Sequence, residues 1–86
     1  MGEEKKIGEI AHYFSKIGVA TIKLTDGDLK VGDTIHIKGH TSDFTQNVES
    51  IQIEYKDIQE AKKGSDIGIK VIKHTREHDV IYKVIE

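Results

Sequence analysis

Cysteine, proline and tryptophan are all missing from this chain of 86 residues, and each absence narrows what it can be. Without cysteine there is no disulfide framework, no thiolate ligand and no thiol nucleophile. The fold must then hold by packing alone, and a chain this short buries only about 60–65% of its unfolded surface. Without proline, no residue marks or blunts a sheet edge. Long apolar runs are missing too, the longest being three or four residues, far short of a membrane span. The opening Met1-Gly2-Glu3-Glu4-Lys5-Lys6 lacks the apolar core of a signal peptide, and Lys6 stands where a myristoylation site needs Ser or Thr. The expectation is a soluble, cytoplasmic protein. Charge of one sign is not in excess either. Thirteen Lys and Arg against fifteen Asp and Glu give a net charge of −2, which provides no overall positive field for nucleic acid.

What the chain does have is isoleucine: fourteen Ile and six Val against two Leu. β-branched side chains suit a pleated surface and lose rotamer freedom in a helix, so the composition leans toward strands. Alternation agrees. Residues 7–14 and Val19–Leu24 read as a hairpin around Ser15-Lys16-Ile17-Gly18, with Ala20, Ile22 and Leu24 inward. Asp26-Gly27 and Gly32 mark turns. Residues 34–38 alternate again with Ile35 and Ile37 inward, and His40 to Thr45 reads as a polar loop whose one large apolar residue is Phe44. Residues 46–55 form the longest strand candidate, with a bulge expected near Glu49 or Ser50 because Val48 falls out of parity with Ile51, Ile53 and Tyr55. Residues 56–63 read as an irregular connection. Strands follow at 66–72 and 80–85, the last with Val80, Tyr82 and Val84 inward. Six strands and no helix argue a single all-β domain, and a closed antiparallel barrel removes the edges that no proline protects. Residues 1–5 are expected as a disordered tail and residues 6–86 as the barrel domain.

Few strings carry chemistry. His74-Thr75-Arg76-Glu77-His78 spells H-x-x-E-H, which in a zinc peptidase needs a helix to bring both imidazoles to one face. Here it lies between two strands, so it reads as a charged turn and no metal is expected. His36 and His40 are four residues apart, about 13 Å if extended, too far to share an ion. No phosphate-cradling G-x-x-x-x-G-K-[ST] or G-x-G-x-x-G is present, nor is G-x-S-x-G, so no nucleotide, no cofactor and no catalytic residue is expected. Lys56, Lys62, Lys63, Lys70, Lys73, Arg76 and Lys83 gather in the last third near Tyr55 and Tyr82. Such a surface could stack bases and contact phosphates, or it could simply be the solvated face of the strands.

Gly27-Asp28-Leu29-Lys30-Val31-Gly32-Asp33-Thr34-Ile35-His36-Ile37 resembles the G-x-(L/I)-K-V-G-D-x-(V/I)-x-I segment of the β-barrel domain that follows the GTPase in elongation factor Tu and related translation factors. Two further segments agree in order: Tyr13 to Ala20 resembles the first hairpin of that domain, and Ala61 to Ile69 its A-G-x-x-V-G stretch. The resemblance implies a six- or seven-stranded antiparallel Greek-key barrel of the translation-protein type, standing apart from any GTPase. A similar barrel caps the C-terminus of the U32 peptidases. The resemblance also implies a non-enzymatic module whose partner is RNA, a tRNA or the ribosome, contacted through Gln52, Tyr55, Lys56, Asp66 and Lys70. At the tRNA-end pocket, Gln52 replaces an acidic residue, Tyr55 an arginine and Asp66 an asparagine, so the arginine fork suited to phosphate is lost. The alternative is a protein-docking or dimerisation module using a surface such as the loop around Phe44.

Overall fold

The structure, a computed structural model, describes residues 3–85. Ten strands follow one another without a helix among the described residues: β1 (Glu3–Phe14), β2 (Val19–Leu24), β3 (Leu29–Lys30), β4 (Thr34–Lys38), β5 (Asp43–Asn47), β6 (Ile51–Ile53), β7 (Lys56–Ile58), β8 (Glu60–Ala61), β9 (Asp66–Lys70) and β10 (Val80–Ile85). The all-β, antiparallel reading therefore holds. Residues 3–5, expected in a tail, belong to β1 and pair with β10, Glu3 opposite Ile85. No helix among the described residues is long and apolar enough to cross a membrane.

Eight strands form one antiparallel sheet in the order β5-β4-β10-β1-β2-β9-β6-β7, and β3 pairs with β8 in a separate ribbon. The expected closed barrel is corrected here: the ladder is open, with β5 and β7 at its ends. Where β5 meets the segment after β9, a side chain takes the place of a ladder. Gln46 on β5 turns inward, its Nε2 donates to the Lys70 carbonyl at 2.8 Å, and its Oε1 accepts from the Ile72 N–H at 2.9 Å. One amide thus does for β5 and the segment after β9 what ladder hydrogen bonds do elsewhere, and Gln46 is 8% exposed.

Inward residues of the strands meet in one core that includes Ile7, Ile10, Ile22, Leu24, Ile35, Ile37, Ile51, Ile69 and Ile81. Ile7 and Ile10 differ in parity yet are both buried, because β1 changes register between Lys6 and Gly8 and again between Ile10 and His12. At the first shift Gly8 is obligatory: a Cβ there would collide with the backbone carbonyl oxygen of Lys23. β10 departs from expectation. Ile81 is its buried residue, while Val80, Tyr82 and Val84 are only half-buried. The supposed loop at 40–45 holds the start of β5, with Phe44 and Gln46 inward. The supposed long strand 46–55 is divided, because Glu54 and Tyr55 take positive φ (50° and 67°) and fold β6 back onto β7 in a two-residue turn.

The Leu29–Asp33 string is a clasp. The Lys30 N–H donates to the Asp33 carboxylate at 3.0 Å, and the Asp33 N–H donates back to the Lys30 carbonyl at 3.1 Å. Gly32, at φ 101°, donates to the Val48 carbonyl at 2.9 Å, and the Val48 N–H donates to the Asp33 carbonyl at 2.8 Å. Lys83 of β10 reaches the same carboxylate at 3.4 Å. The string therefore ties β3 to Val48 and to β10.

Candidate functional site

β6 and β9 pair through Gln52 opposite Gly68, and Gly68 contributes no side chain. Beside this bare spot two recesses of 270 and 570 Å³ share Ser50 and Lys70 and so form one groove. It runs along the opening that Gln46 bridges. Its polar lining is Gln46, Asn47, Ser50 and Gln52, with one anion, Glu49, and one cation, Lys70. Val19 supplies apolar wall, the side chains of Ile69 and Val71 being buried in the core, and Ile17 and Ile72 stand at the rim, 63% and 68% exposed. The rim is held in place because the Val71 N–H donates to the Gly18 carbonyl at 3.0 Å, joining the β1–β2 turn to the segment after β9.

Chemically, the groove carries neutral amides and a hydroxyl between apolar walls. Amides both donate and accept, which suits a ligand that alternates N–H and C=O groups. A single lysine offset by a glutamate makes a poor phosphate track.

Of the five residues expected to form one RNA surface, only Gln52 and Lys70 meet in this groove. Gln52 is partly engaged, its Nε2 donating to Asp57 at 3.0 Å. Tyr55, 98% exposed, and Lys56 lie at the β6–β7 turn and line neither recess. Asp66 opens β9 and Lys70 closes it, about 13 Å apart at the rise of an extended strand. The sequence reading missed Ser50, Gly68, Ile17 and Ile72. Two of these were visible as apolar residues out of pattern, Ile17 inside a turn and Ile72 in a polar stretch.

The H-x-x-E-H string forms no helix, and His78 takes a positive φ of 73°. Its members part company: His74 packs on Tyr13 with ring centroids 4.7 Å apart, and Glu77 lies 3.2 Å from the Nδ1 of His12. Among the described residues no three His, Asp or Glu side chains gather as a metal site.

On the outer face, His36 sits between two carboxylates. Its Nε2 is 2.5 Å from Asp43 and its Nδ1 is 2.9 Å from Glu4. The hydrogen bond to Asp43, then that to Glu4, raises the imidazole pKa above its ordinary value. The same bond to His36 lowers the pKa of Asp43. This triad ties the start of β1 to β4 and β5 across β10.

The chain is similar in sequence to an uncharacterised protease of Methanocaldococcus jannaschii, 42% identical over 82 residues, which is 94% of the chain and 20% of that protein. It is 37% identical over 78 residues to a collagenase of Porphyromonas gingivalis, covering 90% of the chain and 22% of the collagenase. The chain thus spans about a fifth of the length of the curated relatives it matches. In fold it is similar to the C-terminal domain of a Geobacillus thermoleovorans protein assigned to the U32 peptidases, with a TM-score of 0.84, 21% identity, and coverage of 90% of the chain and 96% of the domain. No protein-family model matches.

These similarities correct the resemblance to elongation factor Tu. The sequence relatives are named protease and collagenase, and the matching solved fold comes from a U32 peptidase. The translation-related, RNA-binding reading falls with it, as does the description as non-enzymatic, and the similarities lend the protein-docking alternative little support. The physical reason lies in the clasp. The most distinctive string behind the resemblance, Leu29–Asp33, does structural work, so it reports how the sheet is held and not what it binds.

Proposed function

We propose that the chain works within a polypeptide-cleaving protein of the U32 type, as the domain that receives an extended stretch of polypeptide in the groove along β6 and β9. The observation that carries this reading is the 42% identity, across 94% of the chain, to a protein named as a protease. A second relative named as a collagenase points to polypeptide as the substrate class. The groove's chemistry supports it. Asn47, Ser50 and Gln52 offer donors and acceptors to peptide N–H and C=O groups, while Val19 and the rim isoleucines cover apolar side chains of the same segment.

Surface plasmon resonance on the immobilised chain tests the reading, with heat-denatured collagen and denatured casein as probes. Saturable binding of either supports it. Failure of both to bind saturably overturns it.

A further inference from the structure

We propose that Gly68 is the seat for one bulky apolar side chain of the polypeptide held in the groove along β6 and β9, so that the groove selects segments carrying such a residue. This rests on the polypeptide reading of the groove and adds a preference that sequence-independent binding would not show.

Gly68 is a glycine that the fold does not require. Each of the other six described glycines has a structural reason. Gly18, Gly32 and Gly64 take a left-handed φ, and at Gly8, Gly27 and Gly39 an added Cβ would lie under 3.0 Å from a neighbour. Gly68 has no left-handed φ, and an added Cβ would meet Val19 at 3.6 Å and the Gln52 carbonyl oxygen at 3.9 Å, both ordinary contacts. A glycine inside a strand costs stability relative to alanine and packs nothing. Its remaining use here is to let another group approach the backbone closely.

The neighbours keep that spot clear. Ile67 and Ile69 point into the core, so Gly68 faces outward, between Thr21 of β2 and Gln52 of β6 as its direct partners. Two strand spacings, about 9–10 Å, separate the backbones of those two residues. Both side chains are drawn away from the gap. The Thr21 hydroxyl donates to the His12 carbonyl on β1 at 3.4 Å, and the Gln52 Nε2 donates to Asp57 on β7 at 3.0 Å.

What remains around the gap is apolar. Val19 and Ile17 close one end of the recess, and Lys70, opposite Val19 and two residues along β9, adds its aliphatic stem. The recess of 270 Å³ is smaller than a typical small-ligand site and suits a single large side chain. A ring or branched chain laid on bare strand covers backbone and flanking apolar atoms together, as aromatic side chains do for strand glycines within sheets. The division of labour is that of strand-like peptide recognition: main-chain hydrogen bonds hold the segment, and a pocket for an alternate side chain sets its identity.

The test is a nuclear magnetic resonance titration of the isotope-labelled chain with four short peptides, acetylated and amidated. Each is built of serine and glutamine, with glycine, serine, leucine or phenylalanine at its centre. We expect the leucine peptide, the phenylalanine peptide or both to bind about tenfold or more tightly than the glycine and serine peptides, with saturable shifts at Val19, Thr21, Gln52, Gly68 and Lys70. Gly68→Ala should weaken the tighter peptides severalfold, and Gly68→Val should bring them to the level of the glycine peptide. In both variants the melting temperature should equal or exceed that of the wild type. Equal affinity of all four peptides, no saturable binding by any, or a preference undiminished in Gly68→Ala would overturn the seat. Denatured collagen and casein, titrated in parallel, report on the polypeptide reading by itself. Saturable binding of either alongside any of those results overturns the seat alone, and failure of both removes reading and seat together.

Discussion

Gln46 bridges the opening of the sheet with two hydrogen bonds from one side chain, and its removal is the sharpest test of how the fold holds together. Gln46→Met keeps the length and volume while deleting the amide. The Lys70 carbonyl and the Ile72 N–H then lose their partners in a half-buried setting. Each orphaned group costs about 1–3 kcal/mol, so the pair costs about 2–4 kcal/mol once partial hydration is allowed for. A domain of this length has roughly 4–13 kcal/mol in total. At about 4–8 °C per kcal/mol for a domain of this size, the melting temperature should fall by roughly 10–25 °C. Urea unfolding followed by circular dichroism should show a lower midpoint with an unchanged slope, since the exposed surface is the same. Gln46→Glu adds a sign test: its carboxylate still accepts from Ile72 but repels the Lys70 carbonyl, so part of the loss should return as the medium is acidified and the group protonates. A fall of less than about 3 °C in Gln46→Met would show that the amide does not hold the opening, and the reasoning would fail.

Three further outcomes follow from the same structure. His36 has a pKa raised above 6.5 by Asp43 and Glu4, so its contribution is full below 6.5 and is lost as pH rises through the raised value. Asp43, lowered from 3.8 by the same bond, contributes above 3.8 and loses this as pH falls through its depressed value. The melting-temperature gap between the wild type and His36→Gln should therefore be widest between roughly pH 4 and 6.5 and shrink toward pH 9, and a gap independent of pH would contradict the triad. Gly8→Ala should cost about 1–3 kcal/mol in chemical denaturation, because the new methyl must displace the backbone at Lys23. Glu54→Asn combined with Tyr55→Gly should raise stability by about 1–2 kcal/mol, since Asn-Gly relieves two left-handed non-glycine residues in the β6–β7 turn.

Strands with one buried face were legible in the sequence. β2, β4 and β9 alternate because Ala20, Ile22, Leu24, Ile35, Ile37, Ile67 and Ile69 go inward while their neighbours do not. β10 was misread because Val80, Ile81 and Tyr82 are all apolar, and parity has no polar reference until Lys83. β5 was hidden because one of its two inward residues is the amide Gln46, which looks like a loop residue until its partners at 70 and 72 are known. The β6–β7 turn was hidden because Glu54-Tyr55 carries no turn signal; its geometry is imposed by the pairing of Ile51 with Ile58 and Ile53 with Lys56. The join between β5 and the segment after β9 was hidden as well, since a side-chain bridge leaves no trace in periodicity. For the site, Gln52 and Lys70 were found by position, but Ser50 and Gly68 have no signal of their own. Their roles come from lying side by side across strands distant in sequence. The family was misjudged because Leu29–Asp33 is a clasp, and a clasp travels with a fold whatever that fold binds.

The claim that the groove along β6 and β9 receives polypeptide is tested most directly by mapping a denatured collagen peptide onto the labelled chain by nuclear magnetic resonance, alongside Gly68→Leu. A Cβ at Gly68 meets Val19 and the Gln52 carbonyl at 3.6 and 3.9 Å, ordinary contact distances, so a larger side chain there can occupy the groove without straining the strand. We predict saturable shifts at Val19, Ser50, Gln52, Gly68 and Lys70 in the wild type, and their loss in Gly68→Leu with the fold retained. Shifts that saturate elsewhere, or that persist unchanged in Gly68→Leu, would contradict the claim.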